Sequence, residues 1–207
     1  MAGLAGVRVG ADGGAVNALL DDARRTVTGL PADEPGSAAV RAGMLAHLDA
    51  HGAAALGREV PEHVTASALV LDPSLTRALL CFHRKGRFWV QPGGHLDPGD
   101  AGLLAAALRE LREETGVTDG RVPAPRAADL DRHALGDGFG RCAWHLDVGF
   151  VVLADPAGAV AVSDESTDVA WWPLDALPDE VPPGLGDRLT AAARFARAAL
   201  AALPAAP

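Results

Sequence analysis

Between Gly93 and Val117 the chain reads GGHLDPGDAGLLAAALRELREETGV: a glycine turn, a polar loop, then one amphipathic helix ended by Gly116. At about 100° per residue, positions 101–115 put Leu104, Leu108, Leu111 and Thr115 on one side, the expected core stripe. Glu110, Glu113 and Glu114 gather on the opposite side at i, i+3 and i+4, as mutual neighbours. Three carboxylates on one patch repel, and near a helix C-terminus they also meet the negative end of the macrodipole. One reading is a solvated acidic face, partly compensated by Arg109 and Arg112. The other is a hard divalent cation, Mg²⁺ or Mn²⁺, held between the oxygens. The Gly93-Gly94 backbone, with no side chains in the way, can come close to such a site.

The segments around this stretch set the fold class. Positions 15–28, and a second run with Val40, Met44, Leu45 and Leu48 on one face, have helical spacing. Pro31, Pro35 and Gly36 separate them and Gly52 ends the second. Residues 1–14 are small and glycine-rich and are expected to fray. From Val64 the period changes. Thr65–Leu71 and Arg77–His83 form an expected hairpin around Asp72-Pro73-Ser74, and Phe88–Val90 a short strand before the break at Gln91–Gly94. Further strands are expected at 128–133, 143–153 and 169–172, and an alanine-rich amphipathic helix at 185–203. This order implies an α/β (α+β) chain, a mixed sheet with helices on both faces. Residues 1–60 form an N-terminal helical extension and 61–207 the main domain with its C-terminal helix.

Composition narrows the partners. The 207 residues carry a formal net charge of -9, which argues against a nucleic-acid polymer, whose binders present basic surfaces. A small phosphorylated substrate remains compatible, because a bound metal reverses the local sign of charge. Cys81 and Cys142 are expected as buried apolar residues of strands, with no disulfide framework. No signal peptide is apparent, and runs such as Val148–Ala154 are too short to cross a membrane, so the expected location is cytoplasmic.

Arg109-Glu110-Leu111-Arg112-Glu113-Glu114-Thr115-Gly116-Val117 resembles the second half of the Nudix box at every specified position, and Pro92-Gly93-Gly94 resembles its usual lead-in. The box would run from Gly94 to Val117, with Asp100 in place of the first glutamate and a spacer one residue longer than usual. Asp100 reads equally as a helix N-cap or as support for the metal site. The resemblance covers about residues 62–180. It implies a Nudix-like α/β/α sandwich and a metal-dependent pyrophosphohydrolase that cleaves a phosphoanhydride in a nucleoside diphosphate derivative by water attack. It also implies Mg²⁺ or Mn²⁺ on Glu110, Glu113 and Glu114 with the Gly93 carbonyl. Arg109 would orient a box glutamate, and Glu113 or Glu114 would act as general base.

Outside the box, Glu165 precedes the strand ending in Trp171-Trp172 and is a further candidate catalytic acid. His95, His145 and Arg84 are candidates for substrate binding, each with a plain structural role as its alternative. His145 and Asp147 share one strand face. The histidines show no zinc-site spacing. The N-terminal helices could complete a pocket, make a homodimer contact or cover a sheet face. Two other readings stay open: a non-catalytic ligand-binding sensor of the same fold, and an isomerase acting on a diphosphate.

Overall fold

The structure, a computed structural model, describes residues 12–30, 35–136 and 140–203. The expected fraying of residues 1–14 falls mostly outside them, as does the break at Pro31. Helices α1 (Asp12–Thr28) and α2 (Pro35–His51) lead through a 3₁₀ turn (Gly52–Leu56) into the sheet. Pro35 opens α2 instead of interrupting it, at the helix start where proline's missing N–H costs nothing.

The sheet strands are β1 (Glu62–Leu71), β2 (Arg77–His83), β3 (Phe88–Val90), β4 (Gly93–His95), β5 (Asp129–Ala134), β6 (Trp144–Leu153) and β7 (Ser166–Pro173). Between β4 and β5 lies α3 (Leu103–Thr115), and α4 (Leu185–Ala201) follows β7. β1 and β6 run parallel in register from Glu62↔Trp144 to Leu71↔Leu153, and the other pairings are antiparallel. The expected hairpin opens quickly. β1 meets β2 at Leu71↔Ala78, and β2 then pairs with β3 and β7. The edge of β1 thereby exposed takes β4, through Thr65↔His95, Ala66↔Gly94 and Ser67↔Gly93. The expected break at Gly93-Gly94 is thus a short strand. Its glycines gain their partner from tertiary context, since their β propensity is low.

Alternation along β1 sorts the two faces. Val64, Ala66, Ala68 and Val70 face α1, α2 and α3, packing with Leu19, Met44, Leu48, Leu103 and Leu111. Leu69 and Leu71 face α4, packing with Leu185, Leu189 and Ala196. The arrangement is the α/β/α sandwich with a mixed sheet. The N-terminal helices share one continuous apolar core with the sheet.

α3 begins two residues later than expected and is turned about its axis. Leu103, Ala106, Ala107, Leu111, Glu114 and Thr115 are buried, while Leu104 and Leu108 are half-buried. The small Ala106 and Ala107 let the helix lie close on β1 and β4, which carries the glutamate side inward. Glu114 therefore belongs to the buried face, not to a solvated side opposite the core. Gly116 ends α3 in the left-handed conformation (φ 74°), with its N–H on the Arg112 carbonyl.

Asp100 is not the N-cap of α3. That position is Gly102, and the side chain bonding the Leu103 N–H is Asp22 of α1, at 2.8 Å. A helix from the extension therefore caps the box helix. Asp22→Ala should lower stability by about 0.5–2 kcal/mol, the usual worth of an N-cap side chain, read as a lower urea midpoint at unchanged m-value. An unmoved midpoint would mean that water replaces the carboxylate.

Candidate active site

β4 and the last two turns of α3 bring the acidic groups together. The Gly93 N–H donates to Glu114 Oε2 at 3.0 Å. A Cβ on Gly93 would sit 2.6 Å from the Ser67 Cα, and one on Gly94 would press on the Glu110 carboxylate at 2.9 Å. Only glycine lets the backbone approach this closely. Glu114 is buried. Burial raises its carboxyl against the Gly93 hydrogen bond, and the charges of Glu110, Glu165 and Glu113 add to the rise, so it is pushed up to about 8. Glu110 is also raised, first by burial, with Glu113 and Glu165 adding to it against Arg109.

Arg109 ties the loop to the helix. Its guanidinium donates to both oxygens of Asp100 at 3.0 Å, to Glu110 at 2.9 Å, to Glu113 at 3.0 Å and to the His95 carbonyl at 2.9 Å. The Asp100 pair is bidentate, the geometry guanidinium favours. Asp100 thus reaches the box arginine despite the longer spacer, and also accepts the Asp97 N–H at 2.8 Å.

Glu165 lines the same cleft as Glu114, on the loop before β7. Arg84 holds that loop. Its N–H donates to the Glu165 carbonyl, its Nε to the Asp164 carbonyl and its Nη2 to the Ser166 carbonyl, each at 2.9 Å. Much of the donor capacity expected for phosphate is therefore committed to positioning Glu165. Lys85 lines the cleft beside it.

The opposite wall carries His95 and His145. Burial, with Arg58 and His63 beside it, lowers His95 to about 4. Burial, with His133, His95 and His63, lowers His145 to about 3. Both rings are neutral at pH 7, so they could meet a phosphate as single N–H donors and not as cations. His63, unnoticed in the sequence because it opens a strand just after a loop, joins them. Cys142 is half-buried in the loop before β6, 3.9 Å from His95 Nε2, and not in a strand as expected; Cys81 is buried in β2.

Asp147 lies deeper, on the same face of β6. It accepts from Thr65 (3.0 Å), Ser67 (2.7 Å), Gln91 (3.2 Å) and Arg188 of α4 (2.9 Å). Arg188 also reaches Asp129 at 2.6 Å and Asp131 at 3.1 Å. From this floor the cleft continues past Gln91 and His133 to a groove with Phe88, Val90, Val181 and Pro182 on its walls. Asp147 is therefore a structural hub, not a ligand-facing acid.

The NUDIX domain profile matches residues 61–192. No curated protein matches the chain. Among solved structures, the chain is similar to a C. elegans Ap4A hydrolase, at 20% identity and TM-score 0.54, over 65% of this chain and 98% of that one. It is also similar to a MutT protein from Methanosarcina mazei Go1, at 21% identity and TM-score 0.52, over 66% and 96% of the two chains. A NUDIX family hydrolase from Clostridium perfringens gives 18% identity and TM-score 0.50, over 64% and 97%. At these identities the likeness speaks for the fold, and the matched profile covers well over half of the chain. The chain belongs to the NUDIX family.

Proposed function

We propose that the enzyme hydrolyses a phosphoanhydride bond in a nucleoside diphosphate derivative with the help of a divalent cation, Mg²⁺ or Mn²⁺. The observation that carries this reading is the meeting of Glu110, Glu113, Glu114 and Glu165 around the Gly93-Gly94 backbone, with Glu114 buried and pushed up to about 8. So much acid, with Arg109 shared between Glu110, Glu113 and Asp100, fits a hard cation with oxygen ligands. Glu110, Glu113 and Glu114 would hold it, with the Gly93 carbonyl as a backbone ligand. When bound, the cation supplies a lowered water pKa and neutralises charge developing on the phosphates.

The chain's own groups do the rest. Arg109 and Asp100 fix the helix against the loop and keep Glu110 and Glu113 in place. Glu165, held by Arg84 on the facing loop, accepts the proton of the attacking water in this reading. Lys85, His95 and His145 meet the phosphates. The groove past Gln91 and His133 receives the nucleoside end, with Phe88 offering an aromatic edge. The division at residue 60 belongs to the same proposal, and a profile match that begins at residue 61 supports it. No helix among the described residues is long and apolar enough to cross a membrane, and a cytoplasmic site of action and a homodimer contact on the extension are parts of the same proposal.

The test is phosphate release from a panel of nucleotides, dinucleotides and nucleotide sugars with Mg²⁺, Mn²⁺ or EDTA, beside Glu113→Gln. Turnover that needs the cation and falls about 10²–10⁴-fold in the variant supports the reading. Cation-independent turnover, or full activity in Glu113→Gln, would overturn the site. A folded, cation-binding protein inactive on every member of the panel would instead favour the sensor.

A further inference from the structure

On the face of the sheet that α4 covers, the packing stops short of the first residues of β1 and β6, and three imidazoles meet there. His63 and His145 are register partners on the parallel pair, and His95 ends β4 beside them. One ligand-capable atom of each lies within 4.8 Å of those of the other two. The ring centroids are 4.9, 5.1 and 5.2 Å apart, so the three form a triangle and not a row.

The hydrogen bonds fix the state of the deepest ring. His63 is fully buried, and its Nδ1 lies 3.1 Å from the Val60 carbonyl. A carbonyl only accepts, so Nδ1 carries the proton and Nε2 presents a bare lone pair. That Nε2 is buried without a hydrogen-bond partner, and so is Nε2 of His145. A buried polar atom left unpaired costs about 1–3 kcal/mol, and two in one triangle of rings call for a common occupant. Among the described residues no protein donor reaches them. At the centre of the triangle the His63 lone pair would repel an anion, so the phosphates proposed to meet His95 and His145 do so from outside it.

We propose that His63, His95 and His145 bind one zinc-class transition-metal ion, with the thiolate of Cys142 as fourth ligand, at a site separate from the carboxylate centre. Neutral imidazole and thiolate are the ligands such ions select, whereas Mg²⁺ keeps to oxygen. The Val60 carbonyl holding His63 Nδ1–H is the outer partner that orients a metal-binding imidazole. Cys142 Sγ lies 3.9 Å from His95 Nε2 but outside the three-imidazole group itself, so loading draws its loop inward. A tetrahedral site with bonds of about 2.0–2.1 Å needs nitrogens roughly 3.3 Å apart, so loading draws His95 and His145 inward. It also changes one contact. Arg58, exposed, now donates to His95 Nδ1 at 2.9 Å. On loading, His95 keeps one nitrogen for the ion and a proton on the other, so Arg58 swings away. The Cys142 thiol gives its proton to solvent. β4 joins the two centres, since Gly93 bonds Glu114 and His95 ends the same strand.

This inference stands independently of the anhydride substrate. The test is titration of the purified, chelator-treated protein with Co²⁺ under saturating Mg²⁺, read by visible absorption, followed by displacement with Zn²⁺. The expected result is a saturable tetrahedral cobalt spectrum with a thiolate charge-transfer band, bleached by Zn²⁺. Cys142→Ser should lose that band. His95→Gln, at the half-buried end of β4, should weaken Zn²⁺ binding by at least about 100-fold, the upper end for losing even an outer partner. Glu113→Gln should leave the spectrum unchanged. A weak octahedral spectrum in the wild type would overturn the proposal whatever the variants do. So would a spectrum lost in Glu113→Gln and kept in His95→Gln.

Discussion

Glu114→Gln is expected to cut turnover by about 10²–10⁴-fold, the range for losing a positioned ionisable group at the reaction centre, while making the cation-free protein more stable at alkaline pH. Both effects have one cause. The Gln side chain keeps an oxygen for the Gly93 N–H, so the local fold survives. What it cannot do is ionise. In the wild type, burial and the charges of Glu110, Glu165 and Glu113 push the Glu114 carboxyl from 4.5 up to about 8. Between those values the folded chain holds a proton that the unfolded chain has released. Stability must therefore fall as pH rises through this window, and the loss is complete above about 8. The variant lacks this slope. Melting both proteins in EDTA from pH 5 to 9 should give curves that agree at the acid end, with the wild type falling away at the alkaline end. Parallel curves would show that Glu114 is ionised throughout. With Mn²⁺ present, the wild-type midpoint should rise most at high pH, because the cation takes the place of the proton.

Turnover loss in this variant depends on a patch that the sequence already displays. Glu110, Glu113 and Glu114 fall at helical neighbour spacing, and Arg109 stands at the box position whose ion pairs the structure contains. The order of helices and strands along the chain and most element limits are likewise legible from period and turn chemistry. What the sequence hides are relations that only the sheet creates. The stripe of Leu104 and Leu108 put the glutamates opposite the core, but alanines at 106 and 107 let α3 roll toward β4 and bury Glu114. Asp100 looked like a cap because it precedes a helix by the right distance. The loop instead folds it onto Arg109, and the cap comes from Asp22, 81 residues away in sequence. Gly93–His95 has no strand propensity and pairs because β2 diverges from β1 and leaves an edge. His63 carries no motif, and meets His95 and His145 through two strand registers. Local periodicity reports which side chains share an element, and says little about which elements share a site.

The second large effect lies at Arg188 of α4. Its guanidinium is mostly buried and spans Asp129, Asp131 and Asp147. Burial would raise the Asp147 carboxyl, but Arg188, His133 and the Ser67 hydroxyl outweigh it and hold it below the usual range. Asp129 is raised despite Arg188, because burial and its two acidic neighbours prevail. Three carboxylates thus share the Arg188 guanidinium, with His133 a further partner of Asp131 at 2.8 Å. Arg188→Met keeps the aliphatic length along α4 and removes the charge, leaving buried acid unpaired. Breaking such a pair costs about 3–5 kcal/mol, which for a chain of this size lowers the melting temperature on the order of 10 °C. The sign with pH distinguishes this from lost packing. Asp147, depressed in the wild type, contributes stability that is present above its unfolded pKa and lost as pH falls through the folded value. In Arg188→Met that contribution is gone and unopposed burial raises the same carboxyl, so the deficit relative to wild type should be largest near neutrality and shrink toward pH 4 as the variant's carboxyl takes up a proton, before the wild type loses its own contribution at lower pH. Adding Asp147→Asn should recover part of the loss, because the amide can still accept from Ser67 and Thr65 without a buried charge. A deficit that is constant with pH and unrelieved by Asp147→Asn would mean that Arg188 acts through its methylenes. Asp147 also anchors Thr65, Ser67 and Gln91 in the cleft floor. The same substitution should therefore raise KM more than it lowers kcat, since the groove beside Gln91 loosens while the box acids stay with Arg109.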